Sequence, residues 1–120
     1  MVALGLVCAA GASQAADPPS LKWTWKGSGQ GVSRQDGWID RPSTIEVTEQ
    51  RGPAFKAQVI YGNQREDRLG VVAPDGRTVY FVGDDGQTTA VLSAPDTLDV
   101  CYLEVGSDAM AGCWTLKRTP

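Results

Sequence analysis

The chain has no histidine. That removes Ser–His and Cys–His nucleophile pairs and the usual zinc ligand sets. Cysteine is nearly as scarce, at Cys8, Cys101 and Cys113. Basic residues are not in excess: 11 stand against 14 acidic ones, for a net charge of −3. Nucleic-acid binding would want a basic patch to displace counterions, so no nucleic-acid partner is expected. An anionic membrane surface is an equally poor match. No GxxxxGK[ST] or GxGxxG sequence joins a strand to a helix, so no nucleotide cofactor is expected. Together these absences predict a protein that is not an enzyme, with no cofactor and no metal site.

The first segment, MVALGLVCAAGASQAA, differs from the rest. Its first twelve residues carry no charge, and Ser13-Gln14-Ala15 puts small residues at the −3 and −1 positions of a cleavage after Ala15. This predicts a signal peptide over 1–15 and an exported chain, periplasmic or extracellular. No Lys or Arg precedes the apolar run, which departs from the usual pattern. The run is shorter than the about 20 residues that span a bilayer, so no membrane insertion is expected. The alternatives are a buried N-terminal helix or lipidation of Cys8, although Gly5-Leu6-Val7 lacks the small residue expected before a lipidated cysteine. Residues 16–20, with Asp17-Pro18-Pro19-Ser20, read as a flexible leader, and 21–118 as a single domain.

The domain reads as strands throughout. Leu21-Lys22-Trp23-Thr24-Trp25-Lys26 alternates, with Leu21, Trp23 and Trp25 on one face. Ser28-Gly29-Gln30-Gly31 predicts a bend or bulge. Segment 32–42 reads as a loop that tucks Trp38 against the body, ended by Asp40-Arg41-Pro42. Ile45 and Val47 then point inward, and Phe55, Ala57, Val59 and Tyr61 line one face of the partner strand. Residues 62–67 read as a polar connection. Pro74-Asp75-Gly76 and Gly83-Asp84-Asp85-Gly86 close the next strands. Strands recur at a spacing of about ten residues with short connections, which predicts a sandwich or barrel. Sequential strands should pair with their neighbours, and closure removes the bare edges. The expected fold is all-β: an eight-stranded antiparallel up-and-down meander closing into a small barrel, with a two-sheet sandwich as the alternative.

The segment 97–118 carries the most information. With Cys101 opposite Cys113, Val100 faces Trp114, Leu98 faces Leu116 and Tyr102 faces Gly112, while Asp99 meets Thr115 on the other face. One face is then apolar and the other polar, as a sheet over a core requires. Removal of Cys8 with the leader would leave an even pair in an oxidising compartment. A Cys101–Cys113 disulfide on the outer face is therefore predicted; two free thiols are the alternative. Gly112 opposite Tyr102 suggests room for the tyrosine ring over bare backbone.

Acidic residues offer little selective chemistry. Asp84-Asp85 supply too few ligands for calcium by themselves. Glu66-Asp67, between Arg65 and Arg68, read as a solvated charge cluster. An acid–base pair could draw on Glu46, Glu104 or Asp99, but nothing selects one.

The aromatic set, with four Trp, suits either a packed core or the lining of a pocket. The meander opening on Trp23-Thr24-Trp25-Lys26-Gly27 resembles the avidin-like and lipocalin-like (calycin-type) barrels. Lipocalins place Gly before the Trp of the first strand, whereas this chain has Trp25-Lys26-Gly27, and no biotin-binding constellation matches. The resemblance implies a barrel with a pocket and identifies no ligand. The functional expectation is an exported, non-enzymatic binding protein. It would hold a small apolar or aromatic molecule at the barrel mouth, against Trp25, Trp38, Tyr61 and Tyr102. The alternative is a protein-interaction module, such as a protease inhibitor acting through Asp17-Pro18-Pro19-Ser20 or an envelope-assembly accessory.

Overall fold

The computed structural model describes residues 17–120; the expectations for 1–15 and Cys8 lie outside the described residues. The strands are β1 (Thr24–Ser33), β2 (Gly37–Arg51), β3 (Ala54–Tyr61), β4 (Gln64–Val72), β5 (Thr78–Val82), β6 (Gln87–Ala94), β7 (Thr97–Glu104) and β8 (Met110–Thr119). Each pairs antiparallel with the next, and β8 returns to β1 to close the barrel. The regular turns account for this order. In Pro74-Asp75-Gly76, the Asp75 carboxylate accepts hydrogen bonds from the amides of Arg77 (2.8 Å) and Thr78 (2.7 Å) and from the Thr78 hydroxyl (2.6 Å). These bonds, the Thr78 hydroxyl first, hold its carboxyl down at about 2.

The terminal hairpin has the predicted register: Leu98 pairs with Leu116, Val100 with Trp114, and Cys101 with Cys113. The cysteines form a disulfide with their Cα atoms 4.1 Å apart, on the exposed face. Tyr102 pairs with Gly112, but its ring is elsewhere. A Cβ on Gly112 would meet the Trp114 indole, whereas one on Gly86 would meet the Tyr102 ring.

Three local expectations are corrected. First, 28–31 contains no bend or bulge: β1 pairs without interruption with both β2 and β8. Its inward positions are Gly27, Gly29 and Gly31, and their bareness serves close approach. A Cβ on Gly29 would collide with the Cys113 carbonyl and the Trp114 ring. The bulges lie at Val47/Glu49 and Leu92/Ala94.

Second, Trp38 is in strand β2 and is 89% exposed, so it is not tucked against the body. Pro42 does not end the strand, because β3 pairing starts only at Thr44 and residues 37–43 pair with β1 alone. A proline is tolerated where one edge of the strand makes no ladder bonds.

Third, the polar connection 62–67 shrinks to Gly62-Asn63, with Gly62 at φ 58°, and β4 starts at Gln64. Gly62 takes this left-handed conformation at no Cβ cost.

The core fills one end of the barrel. Leu21, Trp25, Phe55, Val72, Val79 and Leu98 are all buried there or beside it. Strand β1 begins only at Thr24, so Trp23 does not share the inward face of Leu21 and Trp25; it is 40% exposed, beneath the Arg118 guanidinium. The Trp25 indole N–H donates to the Leu21 carbonyl at 3.0 Å. Gln50 accepts from the Leu21 amide (2.7 Å) and donates to the Pro19 carbonyl (2.9 Å), which ties the leader to this end. Burying a leucine and a tryptophan in this way contributes several kcal/mol, about 1.5–3 for the leucine alone.

Candidate functional site

The opposite end of the barrel is hollow. A cavity of about 930 Å³ opens between the β1–β2, β3–β4, β5–β6 and β7–β8 turns. Its floor is apolar, formed by Ile45, Val59, Phe81, Val100, Trp114 and Leu116. The interior is therefore neither wholly filled nor wholly empty.

The hollow end follows from side-chain size along the strands. The inward faces of β1 and β8 carry glycines at 27, 29, 31 and 112. The Trp114 indole lies across this bare surface and donates from Nε1 to the Arg41 carbonyl at 3.0 Å. That bond satisfies the only polar group of a largely buried ring. The indole is thus fixed flat against the wall, leaving the middle of the barrel open.

The opposite wall is charged. Strand alternation carries Tyr61, Glu66 and Arg68 to the inside, and Arg65 and Asp67 to the outside. The expected solvated charge cluster is therefore split between two faces. Arg68 is 5% exposed; its Nη2 pairs with Glu66 at 2.7 Å, and its Nη1 donates to the Asp67 carbonyl at 3.0 Å. Its Nε is buried and has no hydrogen-bond partner among the described residues. Its guanidinium lies over Gly83, where a Cβ would collide with it.

Two tyrosines cap two glutamates. The Tyr61 hydroxyl donates to Glu66, and the Tyr102 hydroxyl donates to Glu104 at 3.1 Å. Burial first, and then the adjacent carboxylate, pushes each phenol up to about 12. The Tyr61 hydrogen bond, reinforced by Arg68, holds the Glu66 carboxyl below its ordinary range despite partial burial. The Arg41 guanidinium sits over the Tyr61 ring, 4.9 Å from its centre.

Of the four aromatic residues expected at a binding site, Tyr61 and Tyr102 line the cavity. Trp25 is buried at the closed end, and Trp38 faces solvent on the outside of β2. Trp114, Glu66, Arg68 and Arg41 are lining residues that the sequence reading left out. Period-two spacing of Tyr61 with Val59, and of Glu66 with Arg68, was the available signal. Of the loose acid candidates, Glu104 is in the cavity. Glu46 lies on the outer face, 3.6 Å from Arg65, and Asp99 accepts from Thr115 there. Among the described residues, no three His, Cys, Asp or Glu side chains converge to hold a metal ion, and no helix is long and apolar enough to cross a membrane.

No protein-family model matches the chain, and no curated protein matches it either. Among solved structures, an S-type phycobiliprotein lyase from Guillardia theta is similar at a TM-score of 0.50 and 10% identity. The match covers 82% of this chain and 88% of that one. At that identity the likeness speaks for the fold, a calycin-like eight-stranded barrel; a specific avidin or lipocalin kinship is not confirmed. The comparison also corrects one expectation. The matched barrel is a lyase, an enzyme class, so a non-enzyme can no longer be inferred from the missing histidines. This chain is an eight-stranded antiparallel barrel of that architecture, hollow at one end.

Proposed function

We propose that the protein is exported and binds a small molecule with an apolar or aromatic body in the open end of the barrel. The observation that carries this is the cavity of about 930 Å³ itself, with an apolar floor beneath a charged, tyrosine-bearing wall. A concave, mostly apolar site with a few fixed polar groups is what recognition of a small organic ligand requires. Tyr61 and Tyr102 are the polar-tipped aromatic surfaces at the rim, and Trp114 is the flat surface below them. The disulfide on the outer face supports export, because such bonds persist in oxidising compartments.

The protease-inhibitor form of the protein-interaction alternative relied on a free leader. Pro19 and Leu21 are tied to Gln50 at the closed end, which favours the cavity reading.

The test is a ligand screen monitored by the Trp114 indole N–H resonance. Ligands in the cavity shift it; ligands that shift only Trp38 or Trp23 bind elsewhere. If no small aromatic or apolar molecule moves the Trp114 signal, the proposal fails.

A further inference from the structure

We infer that the cavity selects an organic cation, an amine or quaternary ammonium carried on an apolar or aromatic body; this rests on the small-molecule reading of the site. The charges that line the cavity are only partly matched by ion pairs. Glu66 is matched by Arg68. Glu104, Asp36, Asp85 and Asp108 also line the cavity, and none has an ion-pair partner among the described residues. Against these four, one lining guanidinium, that of Arg41, is without a carboxylate partner, and it is stacked on Tyr61. The unmatched charge of the mouth is therefore clearly negative.

Its placement matters as much as its sign. Asp36 comes from the β1–β2 turn, Asp85 from the β5–β6 turn, Asp108 from the β7–β8 turn, and Glu104 from the end of β7. The acids thus surround the opening and do not converge on a point, in keeping with the lack of any three-ligand metal cluster among the described residues. A ring of this kind raises the local concentration of positively charged molecules in a low-dielectric recess.

Below the ring, the cavity offers what a poorly hydrated cation prefers. Tyr102 and Trp114 present aromatic surface within the lining, and ring faces attract ammonium groups when water is excluded. Glu104, whose carboxylate is positioned by the Tyr102 hydroxyl, is the one of the four acids that stands on a strand and not on a turn. The Arg68 charge is matched by that of Glu66, 2.7 Å away, although its buried Nε has no partner among the described residues.

The test uses three near-isosteric probes at neutral pH: 1-naphthylmethylammonium, 1-naphthylmethanol and 1-naphthoate. Affinity is measured by titration calorimetry on the wild-type protein, and location by the Trp114 indole resonance. The expected order is cation over neutral over anion, with roughly tenfold between the first two. The preference should shrink with added salt, since exposed charges are screened beyond about 8 Å at physiological ionic strength. Glu104→Gln and Asp108→Asn should each reduce binding of the cation several-fold and leave that of the alcohol unchanged. If the alcohol or the naphthoate binds the cavity as tightly as the ammonium, the cation inference is overturned while the small-molecule reading stands. If none of the three shifts Trp114, both are overturned.

Discussion

The Trp114 indole occupies the space that a side chain on Gly29 would take, with the Cys113 carbonyl close behind it. Gly29→Ala therefore cannot be absorbed by rotating one side chain. Overpacking of this kind costs about 1–3 kcal/mol. A urea titration should show that loss, and the Trp114 indole resonance should move, because the ring must leave the wall and enter the cavity. An unmoved resonance in a stable variant would mean that the bare face of β1 is not what holds the ring.

The two half-buried tyrosines and Glu66 have opposite pH dependences. Tyr61 and Tyr102 stay protonated in the folded chain up to about 12, against an ordinary 10.0. Between these values the unfolded chain releases protons that the folded chain keeps, so stability falls as pH rises through that window. For Glu66 the carboxyl is depressed from 4.5. Its contribution is complete above that value and is lost as pH falls through the lower, folded one. Glu66→Gln should bring the Tyr61 titration down toward 10.0 without reaching it, because burial, the largest cause, remains. Tyrosinate absorbance against pH measures this directly.

Arg68 is a buried cation whose carboxylate partner is itself partly exposed, at 31% for the Glu66 side chain. Arg68→Leu leaves Glu66 inside the wall without its counter-charge. A fully buried pair broken in this way costs about 3–5 kcal/mol; the solvent reaching Glu66 lowers the expectation to about 1–3 kcal/mol. Adding Glu66→Leu to the Arg68→Leu variant should recover much of that loss. If the double variant is no more stable than the single one, the pair is not the cause.

Cys101 and Cys113 join neighbouring strands on the outer face. Replacing both by alanine should cost about 2–4 kcal/mol. Probe affinity at low temperature should not change, because neither sulfur lines the large cavity. A mass gain of two hydrogen atoms on reduction of the wild-type protein and a lower melting temperature of the variant would check the first point.

Trp38 is nearly fully exposed at 89%. Trp38→Ala should change stability by no more than about 0.5 kcal/mol and remove most of the fluorescence quenched by aqueous iodide. Trp25→Ala should cost about 3–5 kcal/mol, because its ring is 1% exposed at the closed end.

The legible and illegible parts of the sequence divide along one physical line. Strands with apolar inner faces could be read. Leu98, Val100, Trp114 and Leu116 on the last hairpin alternate with outward residues and fix both face and register. Closure of the barrel followed from the short turns. Two of the strands bordering the cavity, β1 and β4, could not be read in full by the same rule. On β4 the inner positions are Gln64, Glu66, Arg68 and Gly70, and on β1 they are Gly27, Gly29 and Gly31. Where the inner residues are small or polar, as on these two strands, the apolar alternation that marks a strand disappears. Trp38 misled for the opposite reason: an apolar residue was assumed to be covered.

The barrel's hydrogen-bonded seams are unequal. β1 pairs with β8 over ten positions, and on the far side of the ring β4 pairs with β5 over four. A ring under thermal load parts at its shortest link. The β4–β5 seam is therefore the clasp of this barrel, and the disulfide-bonded β7–β8 hairpin beside the long seam is its hinge plate. Amide hydrogen exchange should begin at Val79–Val82 and arrive last at the strands flanking β1.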